Sequence, residues 1–225
     1  MPSTTPTPTT DADRLRTAAR FVRNQDTTAL LTSLLPGLDD SRTRMLANRC
    51  RFSHAALLIF PPDPRTLHAQ LAACGLPVDE RATPVPSVVV RDRLAARHRR
   101  EARELDVRIL RPSAPGPHGT NRTVEVFVLL VPPGSDLTEV ADHERARDHE
   151  AHLAFEIDDP DPLVLHGVHA TLVEHGAIPD GGGYNPHEDG TVFYFVAPGH
   201  AHGGYRRLEL YAHGDHRDLL TAAAP

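Results

Sequence analysis

The feature that most constrains this 225-residue chain is a repeat within it. Two stretches follow the same plan at an offset of 98 residues. Arg51–Phe60 (RFSHAALLIF) and His152–Ile157 (HLAFEI) both read as strands, and His54 falls on His152. Each strand is followed by an Asp-Pro pair, Asp63-Pro64 and Asp161-Pro162. Asp suits the N-cap and Pro the first helical position, so both pairs predict helix starts. Leu67-His68 falls on Leu165-His166, and the helices stop at Gly75 and, displaced by three residues, at Gly176. Further strands are expected at Ser87–Val90, Leu105–Leu110 and Arg122–Val131 in the first half. In the second they are expected at Thr191–Val196 and Arg207–Tyr211, with a middle strand near Ile178–Tyr184, where Gly181–Gly183 weaken the pattern. The expected fold is therefore α+β: two tandem β-α-β-β-β units, residues 49–132 and 150–218, joined by a linker over 133–149.

The flanking segments differ in texture. Residues 1–10 are Pro/Thr-rich and are expected to be a disordered tail. Residues 11–48 predict a helical N-terminal extension, from Leu15, Ala18, Ala19 and Val22 at helical spacing and from the Asp39-Asp40-Ser41 cap cluster. Residues 219–225 read as a C-terminal tail. Arg91–Arg108 carries seven Arg, but Asp92, Glu101, Glu104 and Asp106 interleave and no aromatic is present to stack a base. It reads as a solvated helix or lid rather than a nucleic-acid surface.

Composition narrows the function. With 24 basic and 30 acidic residues the formal charge is −6, which disfavours a polyanion binder. No apolar run reaches the roughly 20 residues of a membrane span, and the N-terminus lacks the apolar core of a secretory signal. The two cysteines, Cys50 and Cys74, form neither a disulfide framework nor a thiolate metal site and read as small buried residues, so a reducing, cytoplasmic setting is expected. All basic residues are Arg, while His reaches 15, a density that invites a metal or acid–base role.

Strand alternation sorts these histidines. His54 shares a face with Ala56 and Leu58, and His152 with Ala154 and Glu156. Glu209 shares one with Tyr211, Glu125 with Phe127 and Leu129. Each unit thus opens with a strand His and closes with a strand Glu. A carboxylate so placed is costly to bury alone, and a metal resolves that cost. Two imidazoles and one carboxylate leave positions open, as Fe(II) needs for substrate and O2. His200 and His202, like His213 and His216, read as solvent-facing.

Paired β-α-β-β-β units with these His and Glu positions resemble the vicinal oxygen chelate superfamily, which includes glyoxalase I, extradiol ring-cleaving dioxygenases and bleomycin-resistance proteins. The resemblance covers roughly Cys50–His213. Asn185–Pro198 (NPHEDGTVFYFVAP) is similar to a motif of one-domain type I extradiol dioxygenases: His187, Phe193-Tyr194, Ala197-Pro198, Gly199 and then Glu209. The resemblance implies His54, His152 and Glu209 as iron ligands. It implies His187 and Tyr194 as groups that hydrogen-bond substrate oxygen, and His118 as an acid–base residue. The insert His200–Tyr205 departs from the pattern, so Tyr205 competes for the role of Tyr194. On this reading the protein is an Fe(II)-dependent dioxygenase that takes a small aromatic vicinal diol and O2. The alternative is a glyoxalase-like isomerase, lyase or epimerase on Ni, Zn, Co or Mn, with Glu125 as a fourth ligand. A metal-free binding protein is the third reading. No nucleic-acid or membrane partner is expected; a homodimer through strand edges is expected by analogy alone.

Overall fold

The computed structural model describes residues 10–79, 83–115, 121–202 and 204–222. The tail over 1–9 and His118 lie outside them. Three helices come first, α1 (Asp11–Val22), α2 (Thr27–Leu34) and α3 (Asp40–Ala47). Thr10, Asp26 and Asp39 cap them, each side chain accepting a backbone N–H of the first turn. The first unit holds β1 (Cys50–Ile59), α4 (Pro64–Ala73), β2 (Val85–Pro86), α5 (Val88–His98), β3 (Val107–Leu110), β4 (Ser113–Pro115) and β5 (Asn121–Leu129). After α6 (Thr138–Arg147) the second holds β6 (His152–Ile157), α7 (Pro162–Glu174), β7 (Ile178–Asn185), β8 (Gly190–Val196) and β9 (Arg207–His213). A short α8 (Arg217–Ala222) follows.

The repeat is visible in the details of α4 and α7. Asp63 accepts from Thr66 N–H and Asp161 from Leu163 and Val164 N–H, with Pro at the first turn of each helix. At the other end Gly75 and Gly176 take φ +74 and +87, a left-handed backbone that glycine adopts freely. The same reversed bonds follow, Leu76 N–H to Leu71 O and Ala177 N–H to Leu172 O.

The strands form one sheet in the order β2-β3-β5-β1-β6-β9-β8-β7, with β4 extending β3 along β5. Within each unit the first strand pairs parallel with the last, β1 with β5 and β6 with β9. Between units β1 and β6 run antiparallel, as a local two-fold relation between equivalent strands requires. The sheet curls until its edges meet: Asn185 of β7 donates from its side-chain amide to Pro86 O of β2 at 3.1 Å.

Two apolar layers result. On the outer face α1, α2, α4 and α7 pack over Ala55, Leu57, Ile59, Val126, Phe155, Phe195 and Leu210. The extension is part of this layer, for Leu15, Val22, Leu31, Leu34 and Leu46 are fully buried. On the inner face α5 and α6 pack over Ala56, Leu58, Ile109, Phe127 and Leu129.

Three segments differ from expectation, one being the tail expected over 219–225, which up to Ala222 belongs to α8. Ser87–Val90, read as a strand, is the start of α5. Its β-branched run is overridden because Val90 and Leu94, four apart, seat on the inner layer, and helix is the geometry that places both there. The linker holds α6, whose apolar signal is only Val140 and Ala141 and whose third buried residue is the charged Glu144.

Candidate functional site

The inner face carries four buried ionisable side chains at the two-fold relation between the units. Register explains their meeting. Across β5, β1 and β6, Glu125 lies opposite Ala56 and Ala56 opposite His152. Across β1, β6 and β9, His54 lies opposite Ala154 and Ala154 opposite Glu209. Two parallel rows, each with an alanine between an imidazole and a carboxylate, leave a hollow that any larger central side chain would fill.

The distances close the group. His54 Nε2 is 3.5 Å from Glu125 Oε2 and 3.9 Å from Glu209 Oε1. His152 Nε2 is 3.1 Å from Glu209 Oε2 and 4.0 Å from Glu125 Oε2. All four residues are buried, none more than 5% exposed. His54, His152 and Glu209 each offer a ligand atom within 4.8 Å of the others.

The imidazoles are held so that Nε2 faces inward. His152 Nδ1 donates to Glu150 O at 2.8 Å, which sets its tautomer, and His54 Nδ1 lies 3.2 Å from Ser53 Oγ. Both Nε2 atoms are buried without a hydrogen-bond partner. Buried polar atoms left without partners are costly in a folded interior, and metal ligation would satisfy them. Charge points the same way. Burial works against ionised Glu125, but His54 and Arg111 beside it hold its carboxyl far below the usual range. Glu209 is likewise lowered against burial, chiefly by His152. Burial also opposes the imidazolium of His54, yet Glu125 and Glu209 lift its pKa above the ordinary value. Two buried carboxylates thus draw cationic partners towards them, and a divalent ion would supply that charge at the shared centre. The donor set fits such an ion.

The mouth is closed by polar groups. Arg111, just after β3, bonds both Glu125 and Glu188. Asn185 donates to Glu188 Oε2 at 3.0 Å. Behind them lies a cavity of about 30 Å³ walled by Val89, Val90, Phe127, Tyr194 and Tyr211 among others. That is room for a water, not for a substrate. A larger cleft of about 510 Å³, between α1, the segment before β6 and the β8–β9 connection, contains none of the four residues.

Tyr194 belongs to this face. It stands opposite Glu209, its ring lies 5.2 Å from that of His152, and burial drives its phenol well above the usual range. The guanidinium groups of Arg207 and Arg93 cover the ring at 4.5 and 5.0 Å. Tyr205 lies in the outer layer, its ring 5.0 Å from Phe21, and cannot take that place. The structure does not bring His187 to the group: it is exposed in the β7–β8 turn, outside the cavity wall, where its backbone N–H donates to Asn185 Oδ1. His200, His202 and His213 are exposed. Sequence reasoning missed Arg111 and Glu188. Nothing in their spacing marks them in a chain so rich in Arg and Glu, and only the meeting of β3 with the β7–β8 turn pairs them.

No protein-family model matches the chain, and no curated protein does. Among solved structures it aligns with a methylmalonyl-CoA epimerase in selenomethionine form, at 17% identity and a TM-score of 0.37, over 73% of this chain and 95% of that one. A methylmalonyl-CoA epimerase from Mycobacterium tuberculosis aligns at 12% identity and 0.35, over 76% and 91%. Likeness at this level assigns no activity.

Proposed function

We propose that the protein is a glyoxalase-like metal-dependent isomerase, lyase or epimerase, in which His54, Glu125, His152 and Glu209 hold one divalent ion. The observation that carries this reading is Glu125. It completes a second carboxylate–alanine–histidine row and its Oε2 faces both imidazoles, where a three-ligand oxygenase site would leave an open position. The bound ion would act as a Lewis acid on a substrate carbonyl.

The chain's own groups supply the rest. Glu125 or Glu209, turned to the adjacent carbon, takes a proton at a carboxylate oxygen and returns it at a different position or face. Arg111 holds Glu125 ionised and parts from Glu188 to admit substrate. Val89, Val90 and Phe127 wall the cavity beside these groups.

The Fe(II) dioxygenase reading is favoured by one observation, the buried Tyr194 beside His152. The second group that reading places on the substrate oxygen, His187, is exposed and away from the cavity.

The test is metal-reconstituted protein incubated in D2O with a panel of small carbonyl acids and ketones, followed by NMR. Deuterium entering next to the carbonyl with Ni, Co, Zn or Mn is the expected result. Oxygen uptake with catechols by the anaerobically loaded Fe(II) form, without such exchange, would overturn the proposal in favour of the dioxygenase.

A further inference from the structure

A second group of metal-type donors lies outside the central site, where α5 and α6 end. Glu144 of α6 is 2% exposed, a buried acid on a helix with little apolar anchorage. Its Oε1 is 2.6 Å from Nε2 of His98, the last residue of α5, and 3.6 Å from Nδ1 of His143. Its Oε2 is 3.6 Å from Nδ1 of His149. The ring of His143 stands 5.1 Å from that of His98 and 5.7 Å from that of His149.

We propose that His98, His143, His149 and Glu144 form a peripheral site for a borderline divalent ion such as Zn²⁺, distinct from the central group.

The donor chemistry selects the ion. Three imidazoles and one carboxylate suit zinc-like metals, whereas calcium and magnesium take oxygen sets. Donors around a four-coordinate ion with bonds of ~2.0–2.1 Å lie about 3.3 Å apart. From Glu144 Oε1, His143 Nδ1 at 3.6 Å is already close to that and His98 Nε2 at 2.6 Å has to withdraw by less than ~1 Å, while His149 Nδ1 approaches the other oxygen, Oε2, at 3.6 Å. His149 Nδ1 is buried without a hydrogen-bond partner, so one donor is already unsatisfied. Arg97 donates to both oxygens of Glu144 at 2.9 Å. A carboxylate offers about four lone-pair positions, so Arg97 fixes the plane of Glu144 and leaves room for the ion. The side chains of His143 and His149 are 47% and 39% exposed, which gives the ion a way in.

Position gives the site a use. The same α5 that ends at His98 begins with the valines that wall the central cavity, and His149 lies three residues before His152. An ion here would staple α5 to α6 and to the chain entering β6, bracing one wall of the central site from its far end.

The test is a Zn²⁺ titration of chelator-stripped full-length protein against a chromophoric competitor, with circular dichroism as the folding control. Wild type is expected to take two equivalents, and His98→Ala/His143→Ala one. His54→Ala/His152→Ala is expected to keep one, so failure of the central reading leaves this result standing. Because His143 is exposed, His143→Ala alone is a variant that will fold, and it is expected to weaken one equivalent only. Unchanged stoichiometry and affinity in both His98→Ala/His143→Ala and His143→Ala would overturn the proposal, as would a wild type that binds no ion beyond those lost in His54→Ala/His152→Ala.

Discussion

Replacing Glu125 by Gln separates a four-ligand centre from a three-ligand one. The substitution is nearly isosteric, so the cavity and the Ala56 row are preserved while one of two buried anionic donors becomes a neutral amide. Arg111 loses one carboxylate but keeps Glu188. Apparent binding energies of structural zinc sites run to about 10–16 kcal/mol. Spread over four donors, that is roughly 2.5–4 kcal/mol each, or about 60- to 700-fold in affinity. Glu125 Oε2 lies 3.5 and 4.0 Å from the two imidazole nitrogens, against 3.9 and 3.1 Å for the oxygens of Glu209, so both carboxylates are within reach of the centre. Both variants are therefore expected to lose affinity on this scale in the His98→Ala/His143→Ala background, measured by chelator competition against zinc. If Glu125→Gln binds within ~3-fold of its parent while Glu209→Gln does not, Glu125 is an ion-pair partner of Arg111 and the four-ligand reasoning fails.

Ala154→Leu places a branched side chain between His54 and Glu209; overpacking costs about 1–3 kcal/mol, and the central equivalent of metal should vanish while urea unfolding stays cooperative. Gly199→Ala puts a Cβ 2.1 Å from Ser33 O and 3.0 Å from Leu34 O, so the contact between α2 and the second unit must open. A lowered Tm with faster amide exchange in α2 is expected, and an unchanged Tm would show that the chain there relaxes freely. Burial pushes the Cys50 thiol up to about 12. Its folded pKa lies above its unfolded one, so its contribution to stability is full below the ordinary value of 9.0 and is lost as pH rises towards 12. Cys50 should therefore react with a thiol reagent at pH 8 only as fast as the protein unfolds, and rapid labelling of native protein would contradict its burial.

Much of this site was readable before any coordinates. The repeat places His54 on His152, alternation puts both on one face, and a last-strand Glu follows in each unit. That logic reaches Glu125 as readily as Glu209, because the two end equivalent strands. What the sequence hides is contact between units. Arg111 meets Glu188, and Pro86 meets Asn185, only because the sheet curls until its edges touch. The strand reading of Ser87–Val90 followed local β-propensity, whereas packing of Val90 and Leu94 decided for helix. The motif reading put His187 at the substrate, yet a two-residue shift from Asn185 to His187 in a turn is the difference between a cavity wall and open solvent. Buried Glu144 was missed because only Val140 and Ala141 announce α6.

The strand order also sets a timetable for synthesis. β9, made after every other strand, does not add to an edge but inserts between β6 and β8. It carries Glu209, so a chain emerging from the ribosome holds both histidines and Glu125 well before their last companion exists. Until then β6 and β8 lack the strand that joins them. The centre and the fold are therefore completed by the same late event, and a nascent or truncated chain cannot own a finished site on an unfinished sheet.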